Sequence, residues 1–191
     1  MINIIKDEDA IWHTDEYEVI LVGTSTYCML TNGFQSKLRL KYPYIEKPNN
    51  ETNYGDKRKL GKRLTIDGKP IISLLYISGY PSCKRVTLDY EALENCLATA
   101  NKEFKGKRVM TTMIGCSIFD GNGDKNKVMD IINRTCTDII LDIYDYKQLR
   151  KRDECDNIIR KILKQKNINK EKYKELLQNK DEIFKELYLE Y

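Results

Sequence analysis

Apolar runs of strand length alternate with stretches of helical periodicity along the first 146 residues. INII near the start, YEVILVG at 17–23, KPIISLLYIS at 69–78, RVMTTMIG at 108–115 and DIILDIYDY at 138–146 read as strands. Several are apolar on both alternating faces, as strands covered on both sides of a sheet are. Between them, GFQSKLRLKYP predicts a helix that begins after Gly33 and stops before Pro43, where proline forbids continuation. LDYEALENCLATANKEF brings Leu88, Leu93, Leu97 and Ala100 close to one face, with Asp89 near the positive end of the helix dipole. KNKVMDIINRT groups Val128, Ile131 and Ile132. Each helix has one apolar stripe to lay on a sheet, and the alternation predicts an α/β domain over residues 1–147.

The pattern changes near residue 148. From there to Tyr191 the chain has neither Gly nor Pro and reads as two charged amphipathic helices, broken around Asn167 to Asn169. One stripe holds Ile158, Ile159, Ile162 and Leu163; the other holds Tyr173, Leu176, Leu177, Ile183, Phe184 and Leu187. Residues 148–191 therefore form a helical extension. Its stripes have two readings: docking on the same chain, or, from the roughly seven-residue spacing of Leu176, Ile183 and Phe184, pairing with a partner chain to form a homo-oligomer.

Composition narrows the class. At 191 residues, with 41% hydrophobic and 32% charged residues, the chain is long enough for one domain with a proper core and an appendage. The net charge of +4 is too mild to argue for a nucleic-acid partner, and no run of about 18 apolar residues spans a membrane. Six scattered cysteines (28, 83, 96, 116, 136 and 155), with no CxxC pair and no N-terminal signal segment, read as reduced thiols in a cytoplasmic protein. The lone histidine, His13, leaves no metal set and weakens a Ser-His-Asp hydrolase; a surface position suits it better.

The stretch TTMIGCSIFDGNGDKNKVMDII, 111–132, carries candidate chemistry. Asp120, Asn122, Asp124 and Asn126 imitate the alternating oxygen ligands of a calcium loop. The sixth and twelfth places, however, hold Lys125 and Ile131 instead of glycine and glutamate. A phosphate fits the local grammar better: a strand, a glycine loop and a helix N-terminus present backbone N–H groups to an anion. The same arrangement also occurs in folds that bind nothing. VILVGTSTYCMLTNGFQSKLRLKYP repeats it, and two such loops at the carboxyl ends of strands suit a diphosphate.

The succession NGFQSKLRLKYP, YGDKRKLGK, VTLDYEALENCL and MIGCSIFDGNGDKNKVMDII resembles the macro domains, in particular the branch containing ADP-ribose 1″-phosphate phosphatases. The resemblance covers about residues 2–146. It implies a three-layer α/β/α sandwich with a mixed central sheet and an ADP-ribose cleft at one sheet end, with no cofactor. By that resemblance Asp9, with Asp7 as neighbouring candidate, takes the adenine amino group. Gly33 and Phe34 belong to the first phosphate loop. Gly115, Cys116, Ser117, Ile118 and Phe119 begin the second, which Gly121 and Gly123 extend. Asp124 matches the acidic residue that closes this loop, and in a phosphatase it would orient water or accept its proton, with Asp120 as second choice; either aspartate could equally cap the following helix.

The chain departs from that pattern where the ligand would be touched. Ser25 stands where the family has an asparagine near the distal ribose, the glycine run before the first helix is reduced to TNG, and the second loop is about two residues longer. Altered loops around a retained cleft favour a module that holds or sequesters an ADP-ribose-type nucleotide, a cyclic signal included. A phosphatase or ADP-ribosyl hydrolase is the alternative, and a protein-interaction role of the C-terminal helices a third. The Lys-, Asn- and Ile-rich composition suits an AT-rich viral or bacterial genome. A nucleotide sponge there would act against host defence, in the host cytoplasm if viral.

Overall fold

The computed structural model describes residues 1–6, 8–30, 33–80, 85–117 and 121–145. The chain divides into two units, Met1–Lys147 and Gln148–Tyr191. The two C-terminal helices expected from the sequence lie outside the described residues.

Among the described residues, six strands form one mixed sheet: β1 (Ile2–Lys6), β2 (Val19–Ser25), β3 (Arg63–Ile66), β4 (Ile71–Ser78), β5 (Arg108–Thr112) and β6 (Ile140–Asp145). Their order is β1-β6-β5-β2-β4-β3. All neighbours are parallel except β3, which runs antiparallel to β4. The helices are α1 (Gly33–Lys41), α2 (Glu46–Asn50), α3 (Tyr90–Glu103) and α4 (Lys125–Thr135), with a 3-10 segment at Ala10–Glu16.

Side chains on a strand alternate between faces, and each central strand here feeds two cores. Val19, Leu21, Leu75, Ile77, Val109, Leu141 and Ile143 point to one face, where Leu93, Leu97 and Ala100 of α3 and Val128, Ile131 and Ile132 of α4 cover them. Ile20, Val22, Ile72, Leu74, Met110 and Tyr144 point to the other, beneath Ile11, Leu38 of α1 and Ile45. The expected three-layer α/β/α sandwich is therefore present. β2 is buried at every position, which explains its nearly continuous apolar sequence.

Side-chain caps set the helix starts. The Asp89 carboxylate accepts from Ala92 N (2.9 Å) and starts α3 at Tyr90. Leu88, which the periodicity placed on the helical stripe, instead precedes the helix. It forms an isolated bridge with Ser78 and is buried beneath the second glycine loop. The apolar pattern predicted neither the 3-10 segments nor β3 nor α2. β3 is a four-residue edge strand in which Arg63 and Thr65 dilute the apolar signal, and α2 carries Pro48 within its five residues.

Candidate functional site

β2 and β5 are neighbours, yet the chain leaves their carboxyl ends in opposite directions. From β2 it enters α1, on the face shared with the 3-10 segment; from β5 it enters α4, on the opposite face. Such a switch opens a crevice above the strand ends, where ligands of open α/β sheets collect. The sheet order thus brings the two loops singled out from sequence to adjoining strands.

The first loop leaves Ser25, which is 5% exposed; its Oγ accepts from Tyr27 N (3.3 Å), and Cys28 N donates to its carbonyl (3.2 Å). Gly33, at φ +48°, opens α1, and the space where its side chain would lie is empty. Phe34 packs against the core on the α1 face, and the buried Gln35 amide donates to Gly23 O.

Three glycines close the second loop over Leu88. Gly115 (φ +70°) accepts from Gly123 N (2.8 Å), Asn122 N donates to Ser117 O (2.8 Å), and Gly121 O takes both Thr87 N (2.8 Å) and Leu88 N (3.1 Å). A side chain at Gly123 would collide with Leu88 Cδ2 and stand 3.1 Å from Gly115 O, and one at Gly115 would stand 2.7 Å from Leu88 Cδ1. Glycine is required here by close approach. The N–H groups of Asn122 and Gly123 brace the loop internally, and that of Asp124 donates to Tyr90 Oη (2.8 Å). These three N–H groups, expected from sequence to face an anion, are thus engaged within the domain. The Thr87 hydroxyl, beside Gly121, is buried with no hydrogen-bond partner among the described residues. Ile118, Phe119 and Asp120 lie outside the described residues, as does Asp7.

Asp124 is the N-cap of α4: one carboxylate oxygen accepts from Asn126 N (2.9 Å) and Lys127 N (3.1 Å). Asp124→Ala is expected to cost about 1 kcal/mol of stability, read as a Tm lowered by roughly 2–4 °C, while Asp124→Asn keeps the cap and the melting point. Asp9 caps the 3-10 segment through Ile11 N (3.4 Å) and pairs with Lys37 of α1. Farther along the same pair of elements, Lys41 Nζ donates to Thr14 Oγ1 (2.8 Å) and Asp15 (2.7 Å). A carboxylate has about four acceptor positions, so Asp9 retains capacity for a further donor. His13 is partly exposed between Glu8 (3.0 Å) and Glu16 (2.8 Å) and stacks on Tyr144.

Cys116 stays beside the second loop, its thiol directed at Ile114 O (3.5 Å). Cys96 and Cys136 are core residues; burial pushes their thiols up to about 12 and about 11. Among the described residues no group of three or more His, Cys, Asp or Glu is arranged to hold a metal, and no helix is long and apolar enough to cross a membrane.

A cavity of about 430 Å³ opens beside the first loop, between Tyr27, Leu30, Arg39, Glu46, Asn50 and Tyr54. Sequence reading missed it, because its walls come from four separate segments. An aromatic residue beside a glycine, Tyr54 and Gly55, was the available signal.

No family model matches the sequence, and the curated proteins give no match. Solved structures do. A macrodomain protein from Streptomyces coelicolor matches with a TM-score of 0.56 and 15% identity, over 76% of this chain and 99% of that one. The macrodomain of Thermus aquaticus DarG matches with a TM-score of 0.56 and 13% identity, over 76% and 98%. Thermosipho africanus DarTG, solved in complex with ADP-ribose, matches with a TM-score of 0.58 and 15% identity, over 78% of this chain and 43% of that one. The class defined by this sheet order is a three-layer α/β/α domain with a mixed sheet. More particularly, the chain has the macrodomain fold.

Proposed function

We propose that the protein binds an ADP-ribose-type nucleotide at the β2/β5 switch point and acts by holding it. The observation that carries this reading is the convergence of the Ser25–Gly33 and Gly115–Gly123 loops on adjoining strand ends. The ADP-ribose bound to Thermosipho africanus DarTG, a structure of the same fold, supports it. In this reading Asp9 receives the adenine amino group. The pyrophosphate lies between Gly33 with Phe34 on one side and Gly115, Cys116 and Ser117 on the other. Gly121 and Gly123 hold the second loop in shape, and Ser25 lies toward the distal ribose.

Sequestration of a linear or cyclic ADP-ribose signal follows from the same contacts and suits a cytoplasmic protein directed against a defence signal. Calorimetry with ADP-ribose, its 1″-phosphate and cyclic ADP-ribose, with chromatography of the recovered ligand, tests it. The expected result is saturable binding of at least one of them and unaltered ligand. Absence of heat with all three would overturn the reading. Release of phosphate, or of a group linked to ADP-ribose, that disappears in Asp124→Asn would instead make the protein an enzyme with Asp124 as its acid–base group, because this variant retains the cap and loses only the carboxylate.

A further inference from the structure

Three tyrosines from three separate segments meet beside the crevice. Tyr27 lies two residues beyond the end of β2 and Tyr80 two beyond the end of β4, while Tyr54 comes from the connection between α2 and β3. Tyr27 is the centre: its ring lies 5.0 Å from that of Tyr54 and 5.2 Å from that of Tyr80, edge to face with both, at 90° and 89°. The arrangement is built rather than incidental. Gly55, at φ +69°, donates its N–H to Thr26 O (3.0 Å) and passes so close to Tyr27 that a side chain there would stand 3.2 Å from the ring.

The outer two rings are left to solvent, Tyr54 71% and Tyr80 59% exposed, and Tyr27 and Tyr54 wall the 430 Å³ cavity. That volume lies within the range of small-molecule sites. Leu30 supplies an apolar surface, and the Arg39–Glu46 pair (3.3 Å) and the exposed Asn50 place hydrogen-bonding groups at the border. Exposed aromatic faces beside a few polar groups suit a planar heteroaromatic ring, which gains by stacking without demanding a fixed partner pattern.

We infer that the Tyr27–Tyr54–Tyr80 cluster and its cavity form a subsite for a planar heteroaromatic group carried on the distal ribose of the bound nucleotide. The inference rests on the proposed ADP-ribose reading. Along the sheet, Asp9 belongs to the β1 side, the two phosphate loops to β5 and β2, and the tyrosines to β2 and β4. A nucleotide laid in that order presents its distal end to the cluster.

NAD+ is the direct probe, since it is ADP-ribose with nicotinamide on the distal ribose. Calorimetry compares NAD+ and ADP-ribose on the wild type, on the Tyr54→Ala/Tyr80→Ala double variant and on the Tyr54→Phe/Tyr80→Phe double variant. The expected result is that the wild type and the phenylalanine variant bind NAD+ about tenfold more tightly than ADP-ribose. The alanine variant loses that preference and keeps its ADP-ribose affinity. Equal affinities in the wild type, a preference that survives in the alanine variant, or one that vanishes in the phenylalanine variant would each overturn the subsite and leave the ADP-ribose reading standing. Failure of the wild type to bind ADP-ribose would overturn that reading and the subsite with it.

Discussion

Gly121→Ala is expected to weaken ADP-ribose binding by at least about tenfold, equivalent to roughly 1.4 kcal/mol, and to lower the Tm. At φ +114° the residue occupies a region that alanine adopts only under strain, of order 1–3 kcal/mol. The added carbon would meet Gly115 O at 3.0 Å, Leu88 Cβ at 3.1 Å and Leu88 N at 3.3 Å. Two of these three are backbone atoms and cannot rotate away. The same residue's carbonyl accepts the Thr87 and Leu88 amides, so relief of the clash breaks the bonds that tie the second loop to the start of α3. Gly33→Ala is the control. It carries a positive φ of +48° but meets nothing within 4 Å, so it retains more stability than Gly121→Ala. Parallel melts and titrations read both effects. Wild-type affinity in Gly121→Ala would remove the second loop from the binding site.

A second large effect is expected far from the crevice. Asp142 on β6 is 2% exposed and accepts from Asn3 Nδ2 (2.7 Å), Tyr17 Oη (2.8 Å) and Arg108 Nε (3.1 Å) and Nη2 (2.9 Å). These bonds join β1, β5, β6 and the start of β2's approach at one point. Asp142→Ala takes the carboxylate from the buried Tyr17 hydroxyl, which keeps only its contacts to Tyr144 Oη (3.1 Å) and Arg108. It also unties β1 from β5, while the exposed Asn3 and the half-exposed Arg108 rehydrate. The expected cost is about 3 kcal/mol, a Tm lower by roughly 6–12 °C in thermal melts, with the site itself unchanged.

The same carboxylate gives an acid limb. Burial works to raise its pKa, but the hydrogen bonds from Asn3, Tyr17 and Arg108 outweigh burial and hold it below the ordinary carboxylate value. A depressed folded pKa contributes stability above the unfolded value, near pH 4, that is lost as pH falls through the folded one. Asp142→Asn should therefore flatten the stability profile on that acid side, and an unchanged profile would refute the assignment.

Local pattern carried much of the fold. The apolar runs at β2, β4, β5 and β6 and the stripes of α3 and α4 follow from burial on one or both faces, which a linear sequence records as period 2 or 3.6. Short edge elements did not register: Arg63 and Thr65 in β3, and Pro48 in α2, face too little core to leave a period. At the site, the glycines of the second loop were visible as types but not as roles. Gly121 and Gly123 are needed because Leu88, more than thirty residues earlier, lies against them, and Leu88 looked like one more residue of a helical stripe.

Residue order along the chain settled which segments are strands and helices and where Asp89 and Asp124 begin two of the helices, since those choices depend on neighbours within a few positions. The strand order β1-β6-β5-β2-β4-β3 settled what meets at the sheet edge. It places the β2 and β5 loops side by side and brings Tyr27 and Tyr80 together, with Tyr54 completing the cluster and walling the cavity with Tyr27. Contacts between residues so far apart in the chain are made by packing the layers, and no short-range period encodes them.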